Sequence, residues 1–323
     1  MRTLPGAVLA IIALIMGVAV WVSAGDRVTF TAPATGNEIG VLVDGKRSGT
    51  DVKDEVHTCP SGSALELDNL EAGTSNEVVV FQRERMVTLQ SAEWTSGTDE
   101  LTVTQQAEQG VSVAIWFLKE FNSVAFNRAA AACGRMGQIW QDECMGLRIS
   151  SIEFHKEALG TVDSFLDFDC SGEGCTQGEQ LLADLLANGT PPVDGMLNIY
   201  YVDTVDWGAG PGAGTNGVWC GNNMIVMGRT ARVDLMVHEV GHALELDHTD
   251  SMSGFSDTNV MWSVSNTRAY FTEGQTFRAH LDGTSVINST YGLRATTAPI
   301  RTCGTYGGSS CPDLALRIWP DTP

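Results

Sequence analysis

The sequence predicts a two-part chain: a β-rich front segment over residues 25–106, then a mixed α/β (α+β) domain over residues 107–290. Three observations carry this. Up to residue 106, short apolar runs are cut repeatedly by Gly, Ser, Thr and Asn and show no helical periodicity. From Val111 onward, apolar residues at helical spacing alternate with strand-length runs. Three of the six histidines then fall within His238–His248, in a pattern whose first half needs a helix.

The elements follow in order. Residues 1–24 read as a secretory signal, with Arg2, an apolar run from Ala7 to Val22, and Val22-Ser23-Ala24 as a small-residue cleavage site. The run is shorter than the ~20 residues of a spanning helix. That favours cleavage over an N-terminal anchor, and so a secreted or periplasmic protein with no stable membrane association. The eight cysteines suit an oxidising compartment and form close pairs, Cys133 with Cys144, Cys170 with Cys175 and Cys303 with Cys311, leaving Cys59 and Cys220 unassigned. A net charge of −20 with no basic cluster argues against nucleic acid as a partner.

In the front segment Val28 and Phe30 alternate, as do Ile39, Val41 and Val43, with Asp44-Gly45 as a hairpin turn. Ala64–Leu67, Val78–Phe81, Met86–Leu89 and Leu101–Val103 are further short runs. They predict a small β-sandwich or propeptide-like segment, joined to the rest by a polar linker at Gln105–Gly110.

In the second region Ala114, Phe117, Leu118, Phe121, Val124 and Ala125 recur at helical spacing through Ala132, predicting a long core helix that Gly134 ends. Leu147–Phe154 is a strand whose apolar phase slips between Ile149 and Ile152, the mark of a bulge. Asp167–Glu173 spaces oxygen ligands as a calcium loop does, but Gly178 stands where the bidentate glutamate belongs. A loop shaped by its cysteines is therefore favoured over bound Ca2+. Thr176-Gln177-Gly178-Glu179 reads as a capping box opening a helix through Leu186. Met196–Val202 and Met224–Met227 are strands around a glycine-rich loop at Gly208–Gly217. Thr272-Glu273-Gly274-Gln275 is another capping box, starting a helix through Leu281, and residues 291–323 form an irregular tail.

In His238-Glu239-Val240-Gly241-His242 the two imidazoles lie four residues apart, on one helix face, where they can grip one ion. Glu239 stands beside the first, where a carboxylate can take a proton from a metal-activated water. His248 follows His242 by six residues, about 240° further round a helix. It can join the ion only if the chain leaves the helix after His242 and doubles back. On a continuing helix, Glu245 or Asp247 would be the third ligand instead. The apolar Val233, Leu235, Met236 and Val237 ahead of the motif make the incoming turn a buried one.

This stretch resembles the metzincins, zinc endopeptidases with H-E-x-x-H-x-x-G-x-x-H and a later Met-turn, in particular secreted ones of matrixin-like or pappalysin-like type. The histidines match at 238, 242 and 248 and the glutamate at 239. Asn259-Val260-Met261-Trp262 is similar to the Met-turn, with Met261 beneath the metal; Met252 comes too soon after His248 to compete well. Glu245 stands where the family has its glycine. The resemblance covers roughly residues 110–290 and is most specific at 238–261.

The resemblance implies a zincin-type catalytic domain holding one catalytic Zn2+ on His238, His242 and His248, with Glu239 as general base in hydrolysis of a protein or peptide substrate. It also implies substrate pairing along an edge strand, at or near Val218–Asn223. Some metzincins are kept latent by a propeptide cysteine, but the motif for that role is absent around Cys59, which reads better as a disulfide or a free thiol. Two other readings compete. One is a zinc hydrolase acting on a non-peptide amide or on cell-wall peptide; the other is a catalytically idle adhesion or binding protein of the same fold.

Overall fold

The computed structural model describes residues 26–31, 39–47, 50–60, 62–70, 76–82, 88–94, 100–102, 109–118, 122–143, 145–156, 167–169, scattered positions from 180 to 187, 192–206, and 217–290 except 222, 251, 253, 266 and 283. The expected signal, the pairs Cys170–Cys175 and Cys303–Cys311, most of the Asp167–Glu173 loop and the C-terminal tail lie outside the described residues. No helix among the described residues is long and apolar enough to cross a membrane.

Seven front strands belong to one hydrogen-bonded sheet: β1 (Asp26–Thr31), β2 (Ile39–Arg47), β3 (Thr50–Cys59), β4 (Ala64–Leu70), β5 (Asn76–Gln82), β6 (Thr88–Trp94) and β7 (Glu100–Thr102). The order is β6-β5-β2-β4-β1-β7, with β3 on β2. Asp44-Gly45 is not a hairpin turn: β2 runs straight through it and pairs with both β3 and β5, and the β2–β3 register shifts there. β3 has no counterpart among the predicted strands, because Asp, Lys, Glu and His fill much of Thr50–Cys59 and leave little apolar signal.

The second region is built on β8 (Gln109–Phe117), β9 (Leu147–Lys156), β11 (Leu197–Val202), β13 (Gly217–Trp219) and β14 (Met224–Gly228). Their order is β13-β14-β11-β8-β9; all run parallel except β13, an antiparallel edge. β10 (Asp167–Asp169) and β12 (Thr204–Asp206) form a separate parallel pair.

β11 and β14 are buried along their whole length and β8 along most of its own. Strands covered on both faces read as unbroken apolar runs, with no alternation to betray them. The expected helix therefore began too early: Val111–Phe117 belongs to β8. Helix α1 (Ser123–Asp142) starts after it and runs on through Gly134. Asn122 caps that start, its side-chain oxygen accepting the N–H groups of Val124 and Ala125 at 3.0 and 2.9 Å. The phase slip in β9 is a bulge: Val111 pairs with Ile149 and Ser112 with Ser151, leaving Ser150 as the extra residue.

The expected Cys133–Cys144 bridge is not formed. Cys133 is a free, buried thiol in the middle of α1, packed on the Met236 sulfur at 3.7 Å. Helix from Cys133 to Asp142 rises about 13 Å, more than the roughly 7 Å between Cα atoms that a disulfide tolerates, so α1 carries the chain away from this thiol. Burial pushes this thiol up to about 12. Cys220 is disulfide-bonded.

Three further helices follow: α2 (Leu235–Ala243), α3 (Glu273–Leu281) and α4 (Val286–Ser289). The capping box of α3 forms as its sequence predicts, with Gln275 N–H on Thr272 Oγ1 at 3.1 Å and Thr272 N–H on Gln275 Oε1 at 2.9 Å. One apolar core joins the inner sheet face, α1, α2, Met261 and α3–α4, and a second covers the opposite face around Trp116, Phe168 and Leu181. α2 thus lies packed between α1 and the segment containing Met261.

A candidate metal centre

β14 feeds α2 through a short turn, and the apolar side of α2 is buried through Met236, Val237, Val240 and Ala243. His238 and His242 therefore face the same way, on the side turned towards the returning chain. α2 stops at Ala243 and ends in a Schellman motif, with Glu245 N–H on the His242 carbonyl at 2.9 Å and Leu246 N–H on the Gly241 carbonyl at 3.1 Å. Glu245 occupies the left-handed position of that motif, at φ 64°. This is the conformation a glycine adopts freely and a glutamate adopts at a cost of about 1 kcal/mol. Its carbonyl is held by Arg278 Nε at 3.0 Å, and Arg278 is itself locked in a buried ion pair with Asp282 at 2.7 Å.

The reversal brings His248 back onto the helix face. His248 Nε2 lies 3.1 Å from His242 Nε2 and 3.3 Å from His238 Nε2. The three residues form a group able to hold a metal ion. Glu245 and Asp247, the alternative third ligands, are not part of it. His238 Nδ1 faces the Val260 carbonyl at 2.6 Å and His242 Nδ1 the Leu246 carbonyl at 2.8 Å. A carbonyl only accepts, so both Nδ1 atoms carry the proton and both Nε2 atoms present lone pairs. Two lone pairs thus point at a third imidazole nitrogen that can supply at most one proton. A shared cation resolves the arrangement: nitrogens about 2.1 Å from one tetrahedral ion stand about 3.4 Å apart.

Electrostatics favour the ligand form. Burial, then the neighbouring His242, pushes His238 down to about 2, and burial followed by His248 pushes His242 down to about 4. Burial also lowers His248, although its ring is the exposed member of the three. The centre is therefore closed on the helix side and open to solvent past His248.

Met261 forms the floor. It is fully buried, and its sulfur fits so closely under α2 that a Cβ on Gly241 would overlap it at 2.2 Å. Asn259 fixes this turn: its Oδ1 accepts Met261 N–H at 2.9 Å, and its amide exchanges hydrogen bonds with Gln275 of α3 at 2.9 and 3.0 Å. Ser263 N–H and Oγ donate to Asp250, tying the segment after His248 to the same turn.

Glu239 is buried beside the ligands, under the edge strand. The Trp219 N–H donates to its carboxylate. A Cβ on Gly217 would come within 3.0 Å of Glu239 Cγ and Oε1, so only glycine lets β13 lie this close. Burial raises Glu239 to about 8, against the opposing pull of Arg268 and the Trp219 N–H. β13 overlaps the predicted Val218–Asn223 stretch at Val218 and Trp219 and is the sheet edge on this side among the described residues.

Sequence reasoning gave no role to Gly217, Gly241, Asn259 or Arg268, although Gly241 and Asn259 lie inside the quoted motifs and Gly217 closes the glycine-rich loop. Apart from the bond of Asn259 to Met261, the contacts that give them a role are to residues distant in sequence. Only the excess of polar residues around Met261 hinted at a wired turn. No protein-family model matches the chain, and no curated protein matches it. Among solved structures, metalloproteinase-II from Bacteroides fragilis is similar with 14% identity and a TM-score of 0.34, over 55% of this chain and 54% of that one. The chain thus spans about half the length of that protein.

Proposed function

We propose that this chain is a secreted, metzincin-like zinc metallopeptidase. The observation that supports it is the convergence of His238, His242 and His248, two of them fixed in the ligand tautomer, beside a buried carboxylate and a sheet edge. Three neutral imidazoles with an open side fit a catalytic zinc better than a structural one, which would be closed by a fourth protein ligand. Bound there, zinc supplies Lewis acidity that brings a water near pKa 7 and polarises a carbonyl.

The chain's own groups do the rest. Glu239 accepts a proton on its carboxylate and returns it to the leaving amine. Gly217 and the Trp219 N–H hold that carboxylate in place. β13 offers backbone for an extended peptide to pair with, which favours a peptide over a small amide as substrate. The intact set of ligands with Glu239 speaks against an idle binding protein.

Metal analysis of the purified full chain should find about one zinc per chain. Glu239→Ala should keep that zinc while peptide turnover falls by roughly 10²–10⁴. Turnover by metal-free protein at the parent rate, or loss of zinc in Glu239→Ala, would overturn the assignment. Parallel incubation with mixed peptides, peptidoglycan and simple amides identifies the substrate class.

A further inference from the structure

Arg268 is 3% exposed, and its guanidinium is directed at backbone carbonyls. Nε donates to Val260 at 3.2 Å, Nη1 to Ser265 at 3.4 Å, and Nη2 to Trp262 and Ser263 at 3.1 and 3.0 Å. Burying a cation costs several kcal/mol, and a neutral side chain could fill the same volume. Besides its pull on the Glu239 carboxyl, what arginine adds is a rigid planar fork that orients several acceptors at once. Its backbone is anchored as well: Arg268 N–H donates to Asp234 at the head of α2 at 3.2 Å, and Arg135 of α1 donates to its carbonyl at 3.0 Å.

One of those acceptors matters most. The Val260 carbonyl receives both Arg268 Nε and His238 Nδ1. On the other side of the same peptide plane, Met261 N–H is fixed by Asn259. The plane that orients His238 is thus pinned at both ends. His242 offers an internal contrast, because its Nδ1 rests on the Leu246 carbonyl, which Arg268 does not touch.

We propose that Arg268 is a positioning residue of this centre, fixing the ring orientation and tautomer of His238 by holding the Val260 carbonyl. The proposal rests on the metal-centre reading above. It can be tested without a metal by long-range nitrogen-15 correlation spectra of histidine-labelled, metal-free full chain. Parent protein should show both His238 and His242 as the Nδ1–H tautomer. In Arg268→Lys, which keeps the charge but not the fork, His238 should become a tautomer mixture while His242 stays unchanged. Zinc affinity should fall 10–100-fold, the visible bands of the Co2+-loaded protein should shift, and kcat should drop more than KM rises.

An Nε2–H His238 in the parent overturns the proposal, as does Arg268→Lys with the parent's His238 spectrum and metal affinity. Equal disturbance of His238 and His242 shows a general structural role and overturns it too. Should Arg268→Lys not fold, Arg268→Ala with added guanidinium should recover the His238 signal; failure to recover any fold assigns Arg268 to stability alone. A parent that takes up no zinc defeats the metallopeptidase reading, while the tautomer comparison still decides the role of Arg268.

Discussion

At the scale of single residues, the site depends on two backbone positions where side-chain size and handedness are decided by neighbours. Glu245 sits at φ 64° so that the chain can turn back towards the helix face, and Arg278 holds its carbonyl there. Burial, and then Asp282, raises its carboxyl against the opposing pull of Arg278 and a hydrogen bond from Thr284. Because Glu245 is outside the histidine group and sits at positive φ, Glu245→Gly should retain metal and gain up to about 1 kcal/mol of stability, read as a higher unfolding midpoint. His248→Ala should instead lose the metal. Metal lost from the first variant and kept in the second would reverse the ligand assignment. Gly241 is the opposite case: a methyl there meets the Met261 sulfur at 2.2 Å. Gly241→Ala should cost roughly 1–3 kcal/mol and weaken metal binding as the helix or the floor shifts. A variant as stable as the parent would show that Met261 can move freely.

At the scale of elements, legibility in the sequence followed how local the determining interaction is. The α3 capping box, the β9 bulge and strands β11 and β14 could all be read, because each depends on neighbours in sequence or on a short apolar run. β8 was taken into a helix because burial on both faces removed its alternation, and β3 was missed because its sequence is polar. The two histidines on α2 were legible from spacing, whereas spacing left Glu245 and Asp247 open beside His248, and only the family resemblance pointed to His248. Met261 was named by that resemblance too, but what holds it was not legible, since Asn259, Gln275 and Arg268 act across separations from 8 to 34 positions, the longest being Arg268 N–H on Asp234. Two caps separate local from distributed effects. Asn122→Ala should cost about 1 kcal/mol and leave metal affinity unchanged. Thr272→Ala should cost a similar amount and also weaken metal binding, because Gln275 bonds both Thr272 and Asn259. Equal metal affinity in the two variants, measured by chelator competition, would show that α3 is uncoupled from the centre.

At the scale of the whole molecule, the same buried groups set how stability responds to pH. In the metal-free fold His238 and His242 are held at about 2 and about 4, below the 6.5 of an exposed histidine. Their contribution is fully present above pH 6.5 and is lost as pH falls towards those folded values, because the unfolded chain takes up protons that the fold refuses. Glu239 works the other way. Its folded value of about 8 stands above the 4.5 of an exposed glutamate, so its contribution is present at low pH and is lost as pH rises towards 8. Near pH 5.5 the unfolded chain gains close to two histidine protons while the fold keeps one on Glu239. The net of about one proton makes stability rise with pH by roughly 1.4 kcal/mol per unit. Above pH 6.5 the unfolded histidines lose their remaining protons, and the proton that the fold keeps on Glu239, with the raised Glu245 acting in the same sense, comes to dominate, so stability declines. Urea unfolding of metal-free protein from pH 5 to 8 should therefore show a maximum near pH 6.5. Glu239→Gln should lose the alkaline limb and keep the acid one, and His242→Ala should flatten the acid limb. Saturating zinc should steepen the acid limb, since protons and metal then compete for the same nitrogens. A metal-free parent whose stability climbs without a maximum through pH 8 would mean that Glu239 is ionised in the fold and open to water.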